Sequence, residues 1–188
     1  TSDHAALLGR YLFEILTGMP VSLAAGSVLT MYGTWPRVES ALVIGISQSG
    51  EAREVIEALQ RSREMGALTL GITNSADSGL AQTAEHVLLL HAGAERSVAA
   101  TKTYTCTLAL LYAIVAGLPA CHPMAEGLMQ KLSAVPDMMG EALEMGPEIS
   151  RRMERYRYME ACVVASRGLN LATACETALK MSETGYIV

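Results

Sequence analysis

Two groups of residues in this 188-residue chain have types and spacings that could do chemistry. Ser47, Gln48, Ser49 and Gly50 close an apolar run that begins at Ala41, and a charged, periodic segment starts at Glu51. Two hydroxyls, an amide and a glycine at such a place can hold an anion. Glycine allows a tight turn, the N–H groups of a following helix point outward, and the helix dipole favours negative charge there. The same residues would also serve as an ordinary serine cap with a glycine turn. The pattern is neither a GxxxxGK[ST] loop nor a dinucleotide fingerprint. The second group is Glu176, Lys180 and Glu183, at i, i+4 and i+7 of a helix near 170–184. Leu171, Ala174, Cys175, Ala178 and Leu179 form the opposite, apolar stripe. By spacing alone the charges read as a solvated face with a Glu–Lys pair in its favoured orientation.

Other chemistries find little support. His4, His86, His91 and His122 show no ligand spacing, so no metal is indicated. Cys106, Cys121, Cys162 and Cys175 stand apart without a CxxC and read as reduced core residues of an intracellular protein. The net charge of −5 argues against nucleic acid as a partner but not against small anions, which backbone N–H groups can bind. The longest apolar run, residues 106–119, is too short to span a bilayer and reads as a buried helix, so no membrane is implied. With 51% apolar and 18% charged residues the chain is globular, and its eleven methionines read as core filler.

The elements that must position these groups alternate. Helical periodicity covers 5–16, a β-like stretch 21–25 and a short helix 27–32. Residues 41–47, 67–73 and 86–90 are buried-strand runs. Residues 51–65 are an amphipathic helix ended by Gly66, a short helix starts near Leu80, and a long one covers 98–118. Residues 123–158 are helical with breaks at Pro136 and Pro147, and a strand, loop and helix follow over 160–184. Strands alternating with helices indicate βαβ units and a parallel sheet. The strand–loop–helix at the end echoes the loop and helix at the start. Residues 1–120 therefore read as one α/β domain without its first strand, 121–158 as a helical connector, and 159–188 as the opening of a second, similar domain. Both ends look cut.

Four stretches, "ISQSGEAREVIEAL", "GALTLGITN", "HAGAERSVAATKTYT" and "ACETALKMSETGYIV", occur in an order that resembles the sugar isomerase (SIS) family. Within it, they are most similar to the isomerase half of glucosamine-6-phosphate synthase and to the isomerase-type deaminase. The resemblance implies a flavodoxin-like fold with a five-stranded parallel sheet, usually as two tandem copies in a homodimer. It also implies a hexose 6-phosphate substrate and no cofactor. Ser47, Gln48, Ser49 and Gly50 would grip the phosphate, helped by Thr1 and Ser2. The backbone near Val98 would meet sugar hydroxyls, with Ala100 in the same lining loop. Two departures stand out: Ala52 and Ala100 sit where the family often has Thr and Ser, so two hydroxyls are lost.

The resemblance gives Lys180 a part in ring opening and Glu183 the transfer of a proton between C1 and C2. One carboxylate within reach of both carbons suffices for that step. The family also uses a His from a neighbouring subunit and a Lys-bearing tail, and none of the four histidines matches that role. The implied reaction interconverts fructose 6-phosphate plus ammonia with glucosamine 6-phosphate. A non-catalytic sugar-phosphate sensor and an inactive fragment are the other readings, and the Lys180/Glu183 helix argues against the sensor.

Overall fold

The computed structural model describes residues 1–187. Val188, the last residue of the expected 159–188 segment, lies outside the described residues. In chain order the elements are α1 (Ser2–Thr17), α2 (Gly26–Tyr32), β1 (Leu42–Ile46), α3 (Arg53–Glu64), β2 (Leu68–Thr73), α4 (Gly79–Thr83), β3 (His86–Leu89) and α5 (Lys102–Ala116). They continue with α6 (Leu128–Ser133), α7 (Val135–Glu144), α8 (Gly146–Met153) and α9 (Asn170–Gly185). The chain forms two compact units. One holds Thr1–Ala6 and Ser22–Leu108, the other Leu7–Val21 and the chain from Ala109 onward.

The first unit is built on a parallel sheet in the order β1-β2-β3. Its register sets Gly45 opposite Gly71, and Gly71 opposite Val87. These glycines matter for space. A Cβ on Gly45 would lie 2.7 Å from Leu59 Cδ1, and one on Gly71 would lie 2.9 Å from Leu80 Cδ2. The paired glycines thus make a shallow floor, into which Leu59 of α3 and Leu80 of α4 settle until both are fully buried. Val43, Val55, Ile56, Ala84 and Val87 complete that cluster. The single tryptophan also anchors here: Trp35 Nε1 donates to Ser62 Oγ at 2.9 Å, and Ser62 donates in turn to the Ala58 carbonyl.

In the second unit, Leu8, Leu12, Phe13 and Leu16 of α1 are buried, as are Leu111 and Val115 of α5 and Ala172 and Ala174 of α9. Gly9 brings its backbone close to Leu111, whose methyls lie 3.5 Å from where a Cβ would stand. The Cys121 N–H closes on the Leu16 carbonyl at 2.8 Å. Pro136 and Pro147 fall in the first turns of α7 and α8, where a missing N–H costs nothing, so the helical stretch divides beside each of them, as expected.

Several expectations are corrected. The sheet has three strands among the described residues, not the five expected. Residues 21–25 and 161–165, read as β-like, make no ladder. Alternating apolar residues become a strand only where another backbone pairs with them. The methionines are not mainly core filler: Met31, Met129, Met138 and Met153 are exposed, and α2, α6, α7 and α8, which carry them, bury none of their residues. Cys121 is exposed rather than buried.

Substituting Gly45→Ala should overpack the floor under Leu59 and lower stability by about 1–3 kcal/mol. Urea unfolding checks this, and an unchanged midpoint would mean that α3 withdraws without cost.

Candidate functional site

The Ser47–Gly50 loop leaves the C-terminal end of β1, the edge at which parallel α/β sheets bind ligands. Ser47 is buried, and its N–H continues the ladder to the Ile72 carbonyl at 3.0 Å. Gly50 turns the chain with φ +71, a left-handed conformation. No side chain could stand there: a Cβ would lie 2.0 Å from Ser78 Oγ and 2.8 Å from Thr73 Oγ1. The loop is also tied to its neighbours. The Gln48 carbonyl accepts from the Asn74 N–H at 3.0 Å and from Thr73 Oγ1 at 3.2 Å. The Gly50 carbonyl accepts from the Leu80 N–H at 2.9 Å. Glu51 reaches across to the first turn of α4, its carboxylate accepting from the Gly79 N–H at 3.1 Å.

Inside the loop the hydroxyls act first as acceptors. Ser47 Oγ takes the Gly50 N–H at 3.1 Å, and Ser49 Oγ takes the Glu51 N–H at 3.3 Å. Each hydroxyl keeps its proton to donate. Gln48 and Ser49 are exposed while the backbone beneath them is held. Helix α3 then begins at Arg53, and the residue before it, Ala52, offers no side-chain cap.

The second expected lining loop follows β3. Here lies the residue that sequence reasoning missed, Glu95. Its carboxylate accepts from the Thr101 N–H at 3.1 Å, the Thr103 N–H at 3.3 Å and the Thr103 hydroxyl at 3.1 Å. Glu95 therefore caps α5 from seven residues ahead of the helix and closes residues 95–103 into a ring. Capping residues are sought within a turn of a helix, so local patterns give no hint of it. The Thr101 N–H, first among these donors, holds the carboxyl below its usual range against the opposing effect of burial, and Lys102 adds to the lowering. Lys102 Nζ meanwhile donates to the Ala94 carbonyl at 2.8 Å. An open hollow of about 520 Å³ beside the ring is lined by Glu95, Arg96, Ser97, Thr101 and Lys102. Val98 and Ala100 do not line it. Val98 stands out at the tip, 97% exposed, and Ala100 is half-buried.

Thr1 and Ser2 lie at the start of α1, where the Thr1 carbonyl accepts from the Ala5 N–H at 3.1 Å. In the second unit, α9 brings Glu176, Lys180 and Glu183 together. Lys180 Nζ sits 2.7 Å from Glu183 and 3.3 Å from Glu176. The expected solvated face is corrected here, since Glu176 is buried and Ala178, placed on the apolar stripe, is exposed. The tertiary fold turns α9 so that one carboxylate goes inward with Ala172 and Ala174. Burial works against the charge on Lys180, but the carboxylates of Glu183 and Glu176 outweigh it and raise its pKa. Lys180 is thus a fixed cation at neutral pH, able to donate and unable to act as a base. Among the described residues no cluster of His, Cys, Asp and Glu could hold a metal ion, and no helix is long and apolar enough to cross a membrane.

A family model described as the SIS domain matches residues 1–117. Glutamine–fructose-6-phosphate aminotransferase (isomerizing) of Methanothermobacter thermautotrophicus is 38% identical over 187 residues, covering 100% of this chain and 30% of the relative. The enzyme of the same description from Aquifex aeolicus is 36% identical over 187 residues, covering 100% and 31%. Among solved structures, the C-terminal domain of glucosamine-fructose-6-phosphate aminotransferase from Francisella tularensis aligns with a TM-score of 0.84 at 25% identity. That alignment covers 99% of this chain and 54% of the other. The chain spans about a third of the length of the curated relatives it matches.

The depressed Glu95 carboxyl has a consequence for stability. Its contribution is present above the unfolded-state value near 4.3 and is lost as pH falls through the lower folded value. Thermal melts of Glu95→Gln against the parent should show a deficit at pH 7 that narrows below about pH 4. A deficit that does not depend on pH would exclude the capping charge as its cause.

Proposed function

This chain belongs to the SIS domain family, and on that footing we propose that it is the sugar-phosphate-handling part of an amino-sugar-phosphate enzyme. The reaction interconverts fructose 6-phosphate plus ammonia with glucosamine 6-phosphate plus water: ammonia condenses at the C2 carbonyl, whose oxygen leaves as water, and a proton is then carried between C1 and C2. The two curated relatives above are aminotransferases by description, which favours the synthetic direction. In this reading residues 1–120 are the first SIS domain, 121–158 a connector and 159–188 the opening of a second, in an enzyme that works as a homodimer.

The observation that carries the reading is the Ser47–Gly50 loop. Its backbone is pinned by Thr73, Asn74 and Leu80, while the Gln48 amide and Ser49 hydroxyl stay exposed. Preorganised neutral donors at a strand end suit a phosphate dianion, because they need no reordering when it arrives. Thr1 and Ser2 add donors at the start of α1, and the backbone at Val98 and Ala100 faces the sugar hydroxyls. In the second unit, Glu183 is the proton carrier, and Lys180, kept charged by two carboxylates, donates to a sugar oxygen as the ring opens. An isomerisation of this kind needs one base that both takes and returns the proton, with a cation to steady the developing oxyanion.

Two substitutions in the whole protein test these roles. Ser49→Ala should weaken fructose 6-phosphate binding about fivefold, the loss of one donor, and unchanged affinity would remove the loop from the account. Glu183→Gln should lower kcat by about 10²–10⁴ and leave KM within a few-fold. Retained turnover would sink the assignment.

A further inference from the structure

Asn74, the first residue after β2, stands between the two loops. Its N–H donates to the Gln48 carbonyl of the Ser47–Gly50 loop at 3.0 Å. Its side chain grips the turn after β3 from both sides: Oδ1 accepts from the Ala92 N–H at 3.0 Å, and Nδ2 donates to the Gly93 carbonyl at 2.8 Å. That turn is unusual. His91 at φ +49 and Gly93 at φ +68 both adopt left-handed conformations, and a non-glycine residue stays there only where its surroundings fix it. The turn leads directly into Glu95 and the ring that Glu95 closes on Thr101 and Thr103.

From this juxtaposition we infer that Asn74 is a positioning residue that couples the phosphate loop to the sugar-lining loop, so that holding the phosphate sets the loop that meets the sugar. The inference rests on the functional reading of those two loops. Thr73 supports the same junction without reaching the second loop through its side chain, since its hydroxyl donates to Gln48 and accepts from the Ser75 N–H. Asn is suited to the place because its amide offers one acceptor and one donor to adjacent peptide groups. Aspartate would keep the acceptor for Ala92 but set a carboxylate oxygen against the Gly93 carbonyl.

The test is calorimetric and uses the whole protein with inorganic phosphate and fructose 6-phosphate. In Asn74→Ala and Asn74→Asp the Kd for inorganic phosphate should stay within about twofold, while the preference for the sugar phosphate over phosphate falls about tenfold. A preserved preference, or an equal weakening of both ligands, would overturn the coupling, since a merely structural role predicts one of those two results. A measurement on the parent protein needs no variant to fold: inorganic phosphate should slow hydrogen exchange at the Ala92 amide. An unchanged rate at saturating phosphate would overturn the inference. A parent that binds phosphate but shows no preference for fructose 6-phosphate would instead overturn the functional reading, and the inference with it.

Discussion

Gly50 has no side chain, and Ser78 occupies the space that one would need. The 2.0 Å separation between Ser78 Oγ and an ideal Cβ on Gly50 leaves no room for alanine, and φ +71 disfavours any L-residue independently. That approach sets much of what surrounds the site. It lets the Gly50 carbonyl meet the Leu80 N–H, and it brings Glu51 to the start of α4. Leu80 can then fall onto the Gly71 floor of the sheet. The exposed Gln48 and Ser49 are presented on a turn that the core itself fixes.

Carboxylates do much of the positioning. Glu51 caps α4, Glu95 caps α5, and Glu176 is carried inward on α9 beside Lys180. Each answers a local electrostatic need: unsatisfied N–H groups at a helix start in the first two cases, a cation in the third. One consequence is that the starts of α4 and α5 already hold a carboxylate. The start of α3, preceded by Ala52, has no such side-chain cap, and it lies just after the loop read as the phosphate grip.

Much of the local order was legible in the residues. The apolar runs at 41–47, 67–73 and 86–90 became the three strands, and the charged period after Glu51 became α3, because a two-sided buried strand and an amphipathic helix each need a distinct pattern. The turn at Gly50 and the placing of Lys180 beside Glu183 also followed from residue type and spacing. Residues 161–165 show the limit: their pattern is strand-like, but pairing depends on a second backbone that the pattern does not contain. The methionines of α6–α8 show another, since apolar composition says nothing about whether a neighbour covers it.

What the sequence by itself determined is the set of elements and the chemical inventory: a neutral, hydroxyl-rich loop at a strand end, and a lysine flanked by acids on one helix. The tertiary structure alone decided which long-range partners those groups take. Glu95 reaches six to eight residues ahead to close a ring, Asn74 joins loops 26 and 18 residues away through its peptide N–H and its amide, and Glu176 turns inward although its spacing suits a solvated face. The physical reason is common to all three. A polar group is satisfied by whichever donor or acceptor the packed backbone brings within about 3 Å, and only the assembled core fixes where that backbone runs.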